Sequence, residues 1–270
     1  GEAIRAAAER LVPVSDTARL DAEWLMAHAL GMSRSDMLLR AMRDPAPHGF
    51  AALVARRAAH EPVAYITGTA EFYGLTLAVT PDTLIPRGDS ETLIAAALER
   101  VSEHGRAIDL GTGSGALLLA LLAERPRWEG VGIDASAGAL QVASSNAAAL
   151  GMGARSIWHQ RDWRHCGWAD DLGTFDLVLC NPPYVEASAA LDAQVRDYEP
   201  GSALFSGPEG LDDYRIVLPQ LRGLMTLQAI SVLEIGANQA DSVSALAQEA
   251  GFSATLHRDL AGRPRALILK

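Results

Sequence analysis

Apolar residues recur at helical spacing to about residue 60 and then change period. Leu20, Trp24, Ala27 and Leu30 (or Met26) form one stripe, with Ser15 or Asp16 as a cap and Gly31 as its close. Two further helical stretches, Ser33–Met42 and Phe50–Ala59, follow polar or proline-rich breaks. The stripe suits the core of a small bundle. Between Tyr65 and Thr80 the pattern turns to short extended pieces broken by Gly68 and Gly74, which predicts a hairpin. The expected organisation is a helical domain over 1–62, a hairpin linker over 63–83 and a larger domain over 84–270.

That larger domain alternates helix and strand. Helices are predicted over Thr92–Ser102, Gly115–Glu124, Ala137–Leu150, Asp212–Met225 and Asp241–Ala250. Strands are predicted over Ala107–Leu110, Val131–Asp134, Ser156–His159, Phe175–Cys180 and Ala229–Ile235. The alternation implies an α/β fold, a mostly parallel sheet covered by helices on both faces. Two last strands, near Ala254–His257 and Ala266–Leu269, are close enough in sequence to pair antiparallel.

Candidate chemistry sits at the strand ends, where open α/β sheets bind ligands. The run Phe175–Cys180 ends in Asn181-Pro182-Pro183-Tyr184. Both prolines fix φ and lack an N–H, and Pro182 drives Asn181 toward an extended conformation. Rigid carbonyls and one amide are thus presented, which suits gripping a planar NH2 group. The Asn181 amide oxygen would take one N–H, the Pro182 carbonyl the other, and Tyr184 would lie over the flat face. Upstream, Asp109-Leu110-Gly111-Thr112-Gly113-Ser114-Gly115 joins a strand to an apolar helix. Glycines allow close approach of a ligand, and a helix N-terminus adds free N–H groups. Asp134 ends the next strand, where it can accept from ribose hydroxyls. The spacing is G-x-G-x-G, not the G-x-G-x-x-G of dinucleotide sites, so a nucleoside without pyrophosphate fits better. S-adenosylmethionine is the obvious candidate.

The ordered set of Asp109–Gly115, Gly132-Ile133-Asp134 and Asn181–Tyr184 resembles class I S-adenosylmethionine-dependent methyltransferases acting on amide or amine nitrogen. Glu61-Pro62-Val63-Ala64-Tyr65-Ile66-Thr67-Gly68, Glu71-Phe72-Tyr73-Gly74 and Leu84-Ile85-Pro86-Arg87-Gly88-Asp89-Ser90-Glu91 extend the likeness to the HemK/PrmC family. These are the protein-glutamine N-methyltransferases of peptide chain release factors. The resemblance covers Ala18 to Lys270. It implies a Rossmann-like seven-stranded sheet with a small N-terminal helical domain that recognises the substrate. It also implies S-adenosyl-L-methionine as cofactor, S-adenosyl-L-homocysteine as product, and class 1 release factors, through their Gly-Gly-Gln motif, as partners. Cofactor contacts would come from Asp109, Gly111, Thr112, Gly113, Ser114, Gly115, Asp134, Asp162, Trp163 and Asn181. Asn181, Pro182 and Tyr184 would be catalytic, and Asn181 to Tyr184 would meet the acceptor. Family position gives Asp162 the adenine amino group, Trp163 the ring face, and Arg87 and Glu91 an entrance loop. Two departures stand out: Gly88 replaces a usual proline, and Thr226-Leu227-Gln228 replaces a Pro-Gly-Gly-like turn.

Composition narrows the alternatives. The chain is 49% hydrophobic and 21% charged, as in soluble globular proteins. Its apolar runs are too short for a membrane span. The start at Gly1 is amphipathic, without a signal-peptide apolar region, and Gly in place of Met suggests a processed or artificially introduced end. Cys166 and Cys180 have no metal-like spacing, which implies a reducing cytoplasm and no metal site. A formal net charge of −10 argues against direct nucleic-acid binding, which needs basic surfaces. It therefore disfavours a nucleic-acid amino (adenine) methyltransferase, although adenine's amine fits the same grip. A ribosomal-protein glutamine methyltransferase is the nearer rival. A non-catalytic nucleotide-binding module is opposed by the intact catalytic loop.

Overall fold

A computed structural model describes residues 1–270, and the chain divides into two compact units. The first comprises Gly1–Thr69 together with Leu191–Glu199, a segment that returns to it from far downstream. Helices Glu2–Leu11, Ala18–Leu30, Phe50–Ala58 and Val63–Thr67 gather around Ile4, Leu11, Ala22, Leu25, Met37, Phe50 and Ile66. The expected stripe on the second helix is only in part the buried one: Ala27 and Met26 are buried. Leu20 and Trp24 are over a third exposed, whereas Ala18, Ala22, Leu25 and Met26 are buried. Asp21 and Glu23 lie on the inner side because arginines neutralise them: Arg57 pairs with Asp21 at 2.7 Å, and Arg19 and Arg34 with Glu23 at 2.6 and 2.7 Å. Neither Ser15 nor Asp16 caps the helix, whose N-cap is Thr17, while Gly31 closes it at φ +66°. The stretch after Ser33 runs Arg34–Asp36 and then widens to a π turn over Met37–Ala41.

Ala70–Ala190 and Pro200–Lys270 form the second unit. The expected connector is split between the two: Val63–Thr67 is a short helix of the first, and all but Thr69 of the hairpin belongs to the second. Strands β1 (Thr69–Phe72) and β2 (Leu75–Ala78) are joined by Tyr73 and Gly74, both at positive φ, the signature of a type I′ turn. The Glu91 carboxylate accepts from the Tyr73 N–H at 2.8 Å, and Phe72 and Leu77 are fully buried. On the helix Ala137–Ala149, Asn146 takes the Ala78 N–H at 2.7 Å and donates to the carbonyls of Ala78 and Ser114. The hairpin is therefore tied to the glycine loop itself.

The main sheet holds β3 (His104–Leu110), β4 (Arg127–Asp134), β5 (Ser156–Gln160), β6 (Phe175–Cys180), β7 (Met225–Glu234), β8 (Ala254–Arg258) and β9 (Pro264–Leu269). Their order is β5-β4-β3-β6-β7-β9-β8, parallel except for β9, which runs antiparallel to both neighbours. Two apolar layers cover its faces. One is built on the helix Ala116–Glu124, apolar throughout except for its last residue, the other on Tyr214, Val217, Leu218 and Leu221. The predicted helix Asp212–Met225 is broken into Asp212–Val217, a 3-10 turn carrying Pro219, and Leu221–Leu224. Thr226-Leu227-Gln228 is not a turn. It is an excursion within β7, where five residue steps from Met225 to Ile230 oppose two on β6.

Candidate active site

Strand order reverses between β3 and β6, so their following loops diverge and leave a crevice. Leu110 is paired with Cys180, and the glycine loop and Asn181 leave side by side. A single cavity there is lined by Gly111, Thr112, Gly113, Ser114, Asp134, Asp162, Trp163, Asn181 and Pro183, among others. Four expected site residues do not line it. Asp109 and Gly115 lie beneath the loop, while Pro182 is buried in the turn and Tyr184 is anchored behind it.

The loop's shape follows from its bonds. Gly111, Gly113 and Gly115 have φ of +71°, +54° and +83°, conformations other residues rarely adopt. A Cβ on Gly111 would sit 3.0 Å from the Trp163 ring, whereas one on Gly113 would meet nothing within 4 Å. The N–H groups of Gly111 and Thr112 both donate to the Ile133 carbonyl, and that of Gly113 to Asp134 Oδ2 at 2.9 Å. These three loop donors are engaged inside the protein.

Asp134 also accepts the Ser136 N–H at 2.9 Å on Oδ1. Burial pushes its carboxyl up, and the N–H groups of Ser136 and Gly113 offset part of that. Below them Asp109, 1% exposed, accepts the Thr112 hydroxyl at 2.6 Å, and its Oδ1 has no partner. Burial raises this carboxyl to about 7, against the Thr112 bond and with help from the nearby Asp134 charge.

Asp162 holds its own turn by accepting the Arg164 N–H at 2.9 Å. Trp163 donates its indole N–H to Asp213 at 2.9 Å, which sets its ring against Gly111. Fully buried Asp213 also takes Arg164 at 2.6 Å and the Ser206 hydroxyl at 2.8 Å. Sequence reading missed Asp213, which looks like an ordinary acid in a helix's first turn.

The Asn181–Tyr184 turn is strapped down on its far side. The N–H groups of Tyr184 and Val185 donate to the Leu204 carbonyl at 3.1 and 2.8 Å, and Gln239 donates to the Tyr184 carbonyl at 3.1 Å. Gly210 passes beneath that carbonyl so closely that a Cβ would lie within 2.2 Å of it. The Tyr184 hydroxyl donates to Glu234 at 3.2 Å, and burial together with the Glu234 charge pushes its pKa up. Glu234 was also missed. It ends β7 as Asp134 ends β4, so the same strand-end rule could have found it.

At the entrance, Arg87 and Ser90 line the cavity. Gly88 has no positive φ and open space around it, and the adjoining Asp89 is held by Arg263 and Arg265, each at 2.9 Å. The loop is therefore fastened despite lacking the proline.

Comparison with known proteins gives two family matches, the PrmC N-terminal domain over residues 2–68 and the methyltransferase small domain over residues 89–197. A release factor glutamine methyltransferase of Rhodospirillum rubrum is 40% identical, over 93% of this chain and 78% of that protein. One from Cereibacter sphaeroides is also 40% identical, over 98% of this chain and 95% of the relative. Among solved structures, a methyltransferase from Pyrococcus furiosus superposes with a TM-score of 0.53 at 16% identity. It covers 80% of this chain and 95% of that one, a likeness of fold alone.

Proposed function

The chain belongs to the release factor glutamine methyltransferase family, and we infer its reaction from that premise. It methylates the side-chain amide nitrogen of a glutamine in class 1 release factors. S-adenosylmethionine is the methyl donor, S-adenosylhomocysteine the product, and the Gly-Gly-Gln motif the acceptor. The carrying observation is the Leu110–Cys180 pairing, which sends the glycine loop and Asn181 out of adjacent strands toward one cavity.

The residues present suit the cofactor. Open space over Gly113 lets a nucleoside approach the backbone. Each Asp134 oxygen accepts one backbone N–H, and a carboxylate has about four lone-pair sites, which leaves room for two ribose hydroxyls. The Trp163 ring is fixed by Asp213 at the cavity wall, ready to cover an adenine face. When bound, S-adenosylmethionine supplies an electrophilic methyl group on a sulfonium.

A neutral amide nitrogen is a poor nucleophile because its lone pair is delocalised into the carbonyl. In this reading the Asn181 side-chain oxygen accepts one of its N–H groups, and the Pro182 carbonyl, which does not line the cavity here, takes the other once the glutamine is seated. They orient the nitrogen and stabilise the positive charge that develops there. No strong base is required, since a methylated amide loses its extra proton readily. A release-factor substrate also implies a cytoplasmic reaction.

The helical unit is assigned to recognising the factor away from its glutamine loop. Substitutions on that unit's surface should raise KM for the intact factor while sparing a Gly-Gly-Gln peptide, and an equal effect on both would remove the role. The reaction itself is tested by labelled methyl transfer to purified release factor, ribosomal protein and DNA, side by side. Label on the factor alone is expected. Label on ribosomal protein or DNA instead would replace this reading.

A further inference from the structure

Behind the Asn181–Tyr184 turn lies a buried polar cluster that the reaction as described does not use. Its centre is Glu234, 1% exposed at the carboxyl end of β7. One oxygen accepts the Tyr184 hydroxyl at 3.2 Å, and its backbone carbonyl accepts the Tyr214 hydroxyl at 2.8 Å. Burial pushes its carboxyl up, while the nearby Ser90 and Arg265 and the Tyr184 hydroxyl hold it back, and Glu234 Oε2 and the Ser90 hydroxyl are each buried without a hydrogen-bond partner. Ser90 is 4% exposed yet lines the cavity, and its neighbour Asp89 is bound by Arg265 at 2.9 Å. Glu234 therefore stands between two loops that both reach the cavity, the Gly88–Ser90 turn and the Asn181–Tyr184 turn.

A buried acid is costly unless its partners are in place, and a partly satisfied network is worse than an apolar one. Here the one hydrogen bond to the carboxylate comes from Tyr184, the side chain of a functional loop, and Oε2 is unpaired, so a shift of that loop would leave the buried acid wholly unsatisfied. We propose that Glu234 is a positioning residue for methyl transfer, holding Tyr184, and through it the Asn181–Tyr184 turn, in place. The inference rests on reading that turn as the grip on the acceptor amide.

The test compares E234A, E234Q, Y184F and the E234A/Y184F pair, measuring kcat for release factor methylation and cofactor affinity by calorimetry. Loss of one hydrogen bond to a charged group predicts a kcat fall on the order of tenfold for E234A. Cofactor affinity should stay essentially unchanged. E234Q keeps an acceptor oxygen for the Tyr184 hydroxyl and should recover most of the loss. The double variant should be no slower than the slower single one, because both remove the same link. A wild-type kcat in E234A, additive losses in the pair, or an equal loss of cofactor affinity would each overturn the proposal. If E234A does not fold, Y184F decides, since it removes only the donated hydroxyl: a wild-type kcat there overturns the proposal. An inactive wild-type enzyme would instead overturn the functional reading, and this inference with it.

Discussion

Replacing Asp134 by alanine should weaken S-adenosylmethionine binding roughly ten- to a hundredfold. One charge-assisted hydrogen bond is worth about 1.5–3 kcal/mol, and about 1.4 kcal/mol is tenfold in affinity. The structure adds a refinement. Asp134 is already the acceptor for Gly113 and Ser136, one on each oxygen, so both oxygens face N–H donors. Asparagine keeps one acceptor but turns an NH2 group toward the other N–H, so Asp134→Asn should recover at most part of the loss. The ribose assignment can be isolated with a cofactor analogue lacking one ribose hydroxyl. The wild type should bind it more weakly than the parent cofactor, and Asp134→Ala should not distinguish the two. Titration calorimetry on folded variants gives all four affinities. An unchanged affinity in Asp134→Ala, or the same analogue penalty in both proteins, would refute the assignment.

Three further outcomes are expected. Folded Asp109 keeps its proton to about pH 7, whereas its ordinary value is 3.8. Between those values the native state binds more protons than the unfolded one, so this group's contribution to stability falls as pH rises and levels off above 7. At about 1.4 kcal/mol per unit the effect is a few kcal/mol, and Asp109→Asn should flatten that part of the denaturation-against-pH profile; an unchanged slope would discount it. Gly210→Ala places a Cβ against the Tyr184 carbonyl at φ +68°, so methyl transfer should collapse with cofactor affinity nearly intact. Normal turnover there would mean the turn need not be held. Asp21→Ala leaves Arg57 buried without its carboxylate and should cost about 3–5 kcal/mol, read as a lowered melting temperature of the helical unit. No change in melting would show that the pair adds nothing.

The catalytic half was readable because its signals are local. Gly111, Gly113 and Gly115 announce a tight loop, and Asp134 and Asn181 each end an apolar strand. Parallel alternation then brings their loops to one edge whatever the side chains do. What escaped was set by distant partners. Asp21 is buried because Arg57 lies against it, so hydrophobic periodicity placed Leu20 and Trp24 inward where Ala18, Asp21, Ala22 and Leu25 are buried instead. Leu191–Glu199 carries no assignment from the sequence, and nothing in its composition says that it rejoins the first unit. The β7 excursion at Thr226–Gln228 depends on the register β6 imposes. The tether of the Tyr184 hydroxyl to Glu234, fifty positions away, was likewise not legible.

The central claim is that this chain methylates the glutamine amide of a release factor through the Asn181 grip. The most direct measurement incubates a purified factor with enzyme and S-adenosylmethionine and maps the product by peptide mass spectrometry. One added methylene on the Gly-Gly-Gln glutamine is expected, lost in a factor carrying Gly-Gly-Glu. Asn181→Ala should slow it by roughly a hundred- to a thousandfold, as when one preorganised transition-state hydrogen bond is removed. An unmodified glutamine, or full-rate methylation by Asn181→Ala, would contradict the account.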